Sequence, residues 1–425
     1  MNPAFILALL VPTLVAASRV HAAVDSFQDA IQKGDPRKGI ELFSGLIKEM
    51  PDRIELYLLR ATCYQQVKEY GNAIADYSKA IELDNTQPNI FVGRGTVYEE
   101  KGQLEHALAD FSKALELDAK NAAAHLGKGR TFENQGNYEK AFEEFSKAIE
   151  IDPKEPTAYA FRGHLYVRKK NLDKALGDFS KAVQLAPDNP NAYHARGTGY
   201  LWKKNYEKAA TDFSKAIELD PRDVAPYVGR GDAYYQLKKY DKALADYEHA
   251  FQMAPKNTEA LLGRARTLQQ LKDFDKALAG YQQVIRLDPK SVVAHWHLAA
   301  AFQRKGEFEQ ARAAYVTALR LDSENVGVLE GFAWFLASCP ETKMRDGEKA
   351  LQYAKKAWDL NRGSDAWSFQ VMAAAYAELG NFAEAVEWQK KALTRGTLAE
   401  KKMAESTKRL KLYEDKKPYR ETIVP

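Results

Sequence analysis

Cysteine is almost missing from this chain: 2 in 425 residues, Cys63 and Cys339, which excludes a disulfide framework. With 25 glycines and 16 prolines there is no material for a long flexible linker. Charge of one sign does not dominate either, since 62 lysines and arginines face 58 aspartates and glutamates, a net charge of +4. Hydrophobic residues at 45% and charged ones at 28% make a globular balance, not a disordered or collagen-like one. No phosphate-binding glycine loop, HExxH or GxSxG string occurs, so no catalytic residue is expected from a motif.

Long apolar runs are also lacking. The stretch from Ala4 to Ala17 is apolar over about 14 residues, whereas a membrane-spanning helix needs roughly 20. Pro12 interrupts it, and Val20 and Ala22 then stand where signal peptidase prefers small residues. Residues 1–22 are therefore expected to be a cleaved signal peptide, with a retained anchor as the alternative. The mature chain would start at Ala23 and work in the periplasm or as a secreted protein, with no integral membrane span. No cysteine precedes Cys63 to carry a lipid.

What is present is a repeat. Alanine recurs every 34 residues at Ala73, Ala107, Ala141, Ala175, Ala209, Ala243, Ala277 and Ala311. Four residues later stands an aromatic: Tyr77, Phe111, Phe145, Phe179, Phe213, Tyr247, Tyr281, Tyr315. Twelve before each alanine stands a small residue, from Ala61 and Gly95 to Ala299. Numbering each unit 1 to 34 from residue 54, positions 4, 8 and 11 are apolar or small, as are 20, 24 and 27. Both triplets follow the spacing of one helix face. A turn is expected near position 15, as in Lys101-Gly102-Gln103. Proline at position 32 (Pro153, Pro187, Pro221, Pro255, Pro289) stops the second helix. Pro156 and Pro190 open the next one, where a missing N–H costs nothing. Helices of about 14 residues are marginal alone, so stability has to come from stacking on neighbours.

A 34-residue helix–turn–helix unit with this small/aromatic signature resembles the tetratricopeptide repeat (TPR), and FSKALELDAKN, FSKAIEIDPKE and FSKAIELDPRD are close to its consensus. The resemblance implies an all-α, right-handed superhelical solenoid of about ten units. Residues 23–53 read as a degenerate N-terminal repeat, 54–325 as eight consecutive units, and 326–365 as a variant unit with an insertion within 338–347. Residues 366–399 read as the final unit, and 400–425 as a basic capping helix and tail. The strings FAWFLASCPETKMRDGEKALQYAKKAW and RLKLYEDKKPYRE are similar to the closing modules of exported bacterial TPR proteins. Repeats leave too little chain for a catalytic domain, so the protein is not expected to be an enzyme.

The polar residues are periodic too. Arginine holds position 7 in Arg60, Arg94, Arg162, Arg196, Arg230 and Arg264, with Lys128 in the third unit. Acids hold position 23 in Asp76, Asp110, Glu144, Asp178, Asp212 and Asp246. Gly280 replaces the acid and Leu298 the base one unit later, which suggests a ladder between each acid and the next unit's base. Pairing within a unit satisfies the same series and leaves Arg264 unmatched. His295 and His297 point about 200° apart on a helix and do not form a metal site. No metal or cofactor is expected. The aromatics fall mostly at core positions 4, 11, 17 and 24; Trp202 and Tyr235, at 13 and 12, do not.

In the TPR family the row at positions 2, 5, 9, 12 and 13 of the first helix lines the ligand groove. Carried onto this chain, it offers Arg130, His164, Arg168, His194, Thr198, Trp202 and Tyr235 as a candidate ligand groove, preceded by Thr62, Gln65, Glu99, Glu100 and Glu133. The lysine and asparagine that clamp a carboxylate in chaperone-type TPRs are absent, since those positions hold Leu58/Thr62, Val92/Thr96 and Leu126/Arg130. The expected role is a non-catalytic scaffold for a protein or peptide partner, with an acidic segment favoured and no nucleic acid. Residues 401–420 carry eight lysines and arginines against three acids. That tail supports one alternative, an adaptor for a carbohydrate or envelope polymer. Another is a positioning subunit for an enzyme encoded elsewhere.

Overall fold

Side chains at the joints of each repeat decide where helices begin and end. In the computed structural model, which describes residues 35–361, 366–394 and 400–422, the side chains of Asn121, Asn137, Asn171 and Asn257 accept hydrogen bonds from backbone N–H groups of the helix each precedes. Pro88, Pro156 and Pro190 occupy first helical positions. At position 15 the backbone turns left-handed in the eight repeats of 54–325 and again in the last, but not in the repeat 326–365, whose insertion replaces that turn. Glycine supplies this at Gly102, Gly136, Gly306 and Gly380, and lysine at Lys68, Lys170, Lys204, Lys238 and Lys272. The expected signal segment, residues 1–22, lies outside the described residues.

The chain forms two compact units that divide after Lys203, within the repeat 190–223. The first contains α1 (Pro36–Glu49), α2 (Ile54–Gln66), α3 (Tyr70–Leu83), α4 (Pro88–Glu100), α5 (Leu104–Leu117), α6 (Ala122–Asn134), α7 (Tyr138–Ile151), α8 (Pro156–Arg168), α9 (Leu172–Leu185) and α10 (Pro190–Trp202). The second begins with α11 (Tyr206–Leu219), α12 (Ala225–Gln236), α13 (Tyr240–Met253), α14 (Thr258–Gln270), α15 (Phe274–Leu287), α16 (Val292–Lys305) and α17 (Phe308–Leu321). It continues with α18 (Val326–Ser338), a single 3₁₀ turn (Thr342–Met344), α19 (Gly347–Asn361), α20 (Ala366–Glu378), α21 (Phe382–Thr394) and α22 (Glu400–Glu414). No strand occurs among the described residues.

Each hairpin packs on the next through the aromatic at position 24. Phe111 is fully buried in a slot between Gly95 of its own repeat and Gly127, position 6 of the following one. A Cβ on Gly127 would lie 2.4 Å from the ring, so only glycine lets the helix come so close. Tyr247 sits the same way between Gly231 and Gly263. In two repeats without glycine at position 6 a flat ring takes the space: Phe161 stacks on Phe145 at 5.3 Å, and His297 on Tyr281 at 5.7 Å. Successive first helices of repeats also touch directly, as α4 does α6 and α12 does α14.

The charge ladder differs from the favoured expectation. Arg162 donates to Asp178 of its own repeat, and Arg60–Asp76, Arg94–Asp110 and Arg230–Asp246 repeat the geometry. The reason is hairpin symmetry: positions 7 and 23 are equidistant from the turn at 15, so two antiparallel helices bring them opposite one another. The link to the neighbouring repeat runs through serine instead, since Arg60 Nη1 donates to Ser44, Arg94 Nη1 to Ser78 and Arg230 Nη1 to Ser214. Arg264, expected to stand unmatched beside Gly280, has Glu248 at that serine's place, 3.5 Å away. In the third unit His125 takes the arginine's part and bonds Glu144 through Nδ1. Burial opposes ionisation there, yet His125, Lys128 and Lys147 together hold the Glu144 carboxyl below its usual range.

Cys63 and Cys339 are both buried free thiols. Burial pushes Cys63 up to about 12 and Cys339 to about 11, so neither is a ready nucleophile.

Candidate functional site

Positions 9, 12 and 13 of successive first helices make a polar wall in the first unit. Threonines at position 9 of α2, α4 and α10 bond back to their own helix, Thr62 to Leu58, Thr96 to Val92 and Thr198 to His194. Longer side chains bridge helices: Gln65 donates to Glu100 at 2.8 Å, and Asn134 to Glu99 at 3.2 Å. A cavity of about 210 Å³ lies among Thr62, Gln65, Tyr77, Gly93, Thr96 and Glu100.

The predicted basic stretch is partly neutralised by the acids before it. Arg130 Nη2 lies 3.2 Å from Glu99, which is buried. Burial raises the Glu99 carboxyl above its ordinary range, Arg130 draws it back down, and Glu100 adds to the rise. Glu133 is likewise raised by burial, against the pull of Arg168 and Arg130. His164 stands edge-on to Phe179 at 5.0 Å, and burial together with the neighbouring His194 lowers its pKa. A neutral imidazole there does not serve as a cationic contact. His194 and Thr198 are half-buried.

Two of the predicted residues present themselves openly. Arg168 is exposed with its guanidinium 3.7 Å over the Tyr138 ring, and Trp202 is 47% exposed. Lys203, beside Trp202, pairs with Asp173. Tyr235 belongs to the second unit, where Arg266 lies 4.7 Å over its ring and Tyr240 meets it edge-on at 5.6 Å.

The wall of the second unit is built from tyrosine–amide pairs. Tyr281 donates to Gln269 at 2.7 Å and Tyr315 to Gln303 at 3.0 Å, each from position 24 to position 12. Tyr247 donates to Asp232 at 2.7 Å, while burial raises that carboxyl. A cavity of about 540 Å³ opens beside Gln269, Lys272, Gln303, Arg304 and Phe308. Its far side is made by Glu405, Glu421 and Thr422, which follow the repeats in the chain. No periodic signal could have placed them there, because α22 and the segment after it lie outside the 34-residue period.

The basic tail is not a solvated face throughout. In α22, Arg409 is buried, donates to Gln370 at 2.6 Å and lies over the Trp334 and Tyr419 rings. Tyr413 is fully buried. Among the described residues no group of three or more His, Cys, Asp or Glu side chains is placed to hold a metal ion. No helix among them is long and apolar enough to cross a membrane.

Stacked helical hairpins with polar inner walls define a helical repeat protein whose exposed rows suit macromolecular contacts. Tetratricopeptide-repeat models match residues 62–102, 92–156, 163–201, 200–238, 234–301, 292–325 and 366–397, together more than half of the chain. The chain belongs to the tetratricopeptide-repeat family.

Among curated proteins, a bovine protein SGT1 homolog is 34% identical over 71 residues, 17% of this chain and 20% of that protein. The chain thus spans a fifth of that relative's length. Two solved structures share the fold over most of their lengths. The APC/C hetero-tetramer Cut9–Hcn1 has a TM-score of 0.50 at 14% identity, covering 96% of this chain and 92% of that one. The human IFIT1 dimer with m7Gppp-AAAA has 0.50 at 15%, covering 86% and 88%. PilF of Pseudomonas aeruginosa is 25% identical with a TM-score of 0.47, over 51% of this chain and 98% of that one.

Proposed function

We propose that this protein is a non-catalytic scaffold that holds a protein partner's extended, acidic segment along the first-helix wall of its first unit, outside the cytoplasm. The observation that carries the reading is the pairing of exposed Arg168, seated on Tyr138, with exposed Trp202 on the repeat that follows. A cation held over a ring is pre-oriented for charge-assisted hydrogen bonds, and a half-exposed tryptophan is an anchor in search of a pocket. The export reading is supported by the sequence alone, through the apolar segment Ala4–Ala17. The polymer-adaptor alternative draws less support from the tail, because Arg409 and Arg420 are engaged in internal contacts.

The test uses the full chain as bait in an envelope extract, beside Arg168→Ala and Trp202→Ala variants. Each variant is expected to weaken retention of the main partner by about 1–3 kcal/mol, with helix content and melting unchanged. Added salt is expected to slow association. Equal recovery by all three baits would move binding off this wall. Intact Met1 on the native protein, read by mass spectrometry, would remove the cleaved-signal reading.

A further inference from the structure

After α22 the chain does not leave the repeats; it turns back onto them. Lys416 ends the helix with a left-handed φ of 55°. Lys416 and Lys417 donate backbone N–H groups to Tyr413 and Leu412, and Pro418 blocks any further helical turn. From Pro418 to Thr422 the backbone carries no helix or strand. This stretch crosses the first-helix wall of three successive repeats. Tyr419 packs on Trp334 at 5.6 Å. Arg420 Nη2 reaches Glu378 at 2.7 Å, and Nη1 donates to the Ala337 carbonyl at 3.3 Å. The Glu421 N–H donates to the Ser338 carbonyl at 2.9 Å, and its carboxylate accepts from Gln303.

Gln303, Ala337, Ser338 and Glu378 occupy positions 12, 12, 13 and 13 of their repeats, the row that forms the polar wall in the first unit. The segment runs from the repeat of Glu378 towards that of Gln303, against the order of the repeats. It meets that row as an extended peptide ligand would: one backbone hydrogen bond, one aromatic anchor, and an arginine and an acid each given a polar partner. Nor does the trough end with it, since the cavity of about 540 Å³ continues past Thr422 towards Gln269 and Lys272.

We infer that Tyr419–Thr422 is a resident, exchangeable ligand of a second peptide-binding groove, formed by α16, α18 and α20. The groove's partner is an extended segment of another protein in which an aromatic residue is followed by arginine and then an acid. Glu378 reads the arginine, Gln303 the acid, and Trp334 the ring. While the chain's own segment is seated, partner binding is reduced by competition at high effective concentration. This rests on the reading that first-helix walls hold partner segments, but it concerns a different wall and different residues.

The probe is a fluorescein-labelled synthetic peptide covering residues 415–425, titrated by anisotropy against the full chain and a full-length Arg420→Ala/Glu421→Ala variant. The variant is expected to bind at least about tenfold more tightly than the natural chain, because its resident segment competes poorly. The same two substitutions placed in the peptide, or Glu378→Gln added to the chain, are expected to abolish binding. Binding to neither chain, or equal binding that ignores Glu378→Gln, overturns the proposal. Should the variant misfold, hydrogen exchange on the natural chain decides. Amides of 419–422 are expected to exchange at least about a hundredfold faster than those of α18, and equal protection would make the segment a fixed part of the core. Failure here with retained dependence on Arg168 and Trp202 refutes only this groove, and the converse result refutes only the first.

Discussion

Arg162 and Asp178 meet across the turn of a single repeat, with Nε 2.8 Å from Oδ2 and Nη2 2.9 Å from Oδ1. The pair is mostly buried and bidentate, so removing one partner leaves a charge without compensation. Arg162→Leu is expected to cost about 1–3 kcal/mol. Adding Asp178→Gly, the residue found at Gly280, should recover part of that loss. A urea-denaturation double-mutant cycle checks the coupling, and the Arg196–Asp178 cycle is expected to fall below about 0.5 kcal/mol. Strict additivity of Arg162 and Asp178 would contradict the geometry.

Two glycines of the first unit should respond to alanine with opposite signs. At Gly127 a Cβ would press within 2.4 Å of Phe111, so Gly127→Ala is expected to destabilise by about 1–3 kcal/mol. Gly177 lies inside α9, and a Cβ there meets nothing within 4 Å. Gly177→Ala is therefore expected to stabilise by about 0.5–1 kcal/mol through helix propensity. Shifts of the same sign in thermal denaturation would show that the ring slot is softer than its geometry implies.

The fold was legible because its cause is local and repeated. An i, i+4, i+7 face in each helix and punctuation at positions 15 and 32 need no knowledge of distant residues. The ladder was only half legible, since every charge recurs at the same period and both pairings satisfy the same series. What decides between them is the antiparallel symmetry about the turn, visible once the hairpin exists. Position 6 carries no sequence signal, because its residues, Gly127, Phe161 and His297 among them, share no property apart from the ring each one meets. The candidate groove was legible as a row of positions but not as a surface. Burial turns His164 inward, and Glu99 engages Arg130, leaving Arg168 and Trp202 open. The string RLKLYEDKKPYRE marked a closing module, but not the seat of Tyr419–Glu421, which depends on where a non-repeating segment folds back.

The turns offer a stabilising change. Lys238 holds a φ of 59°, a conformation that costs an L-residue with a Cβ about 1–2 kcal/mol and that glycine adopts freely. Gly136 and Gly306 fill the same place in other repeats. Lys238→Gly is expected to raise stability by about 0.5–1 kcal/mol once glycine's larger entropy in the unfolded chain is counted. Gly136→Lys is expected to lower it by a similar amount. A fall in the urea midpoint of Lys238→Gly would mean that the lysine makes a compensating contact.

His297 makes stability depend on pH. It lies between Trp296 and Tyr281, and burial, aided by the charge of Arg266, lowers its pKa to about 4. In the unfolded chain a histidine takes up its proton near pH 6.5. Between these values the unfolded state binds the extra proton and the folded state does not, so stability falls as pH drops through that window and is complete above it. The loss from pH 7 to 4.5 is on the order of 2 kcal/mol. Glu144, held low by His125, also loses stability in acid, so the histidine's share has to be isolated by substitution. Phenylalanine suits the site, since Phe161 fills the same position and stacks on Phe145. His297→Phe is expected to fold normally at pH 7 and to lose on the order of 2 kcal/mol less than the natural chain on acidification, measured by urea denaturation at both pH values. Parallel losses in the two proteins would show that the imidazole is protonated in the folded state and that the stacked pocket does not exclude its charge.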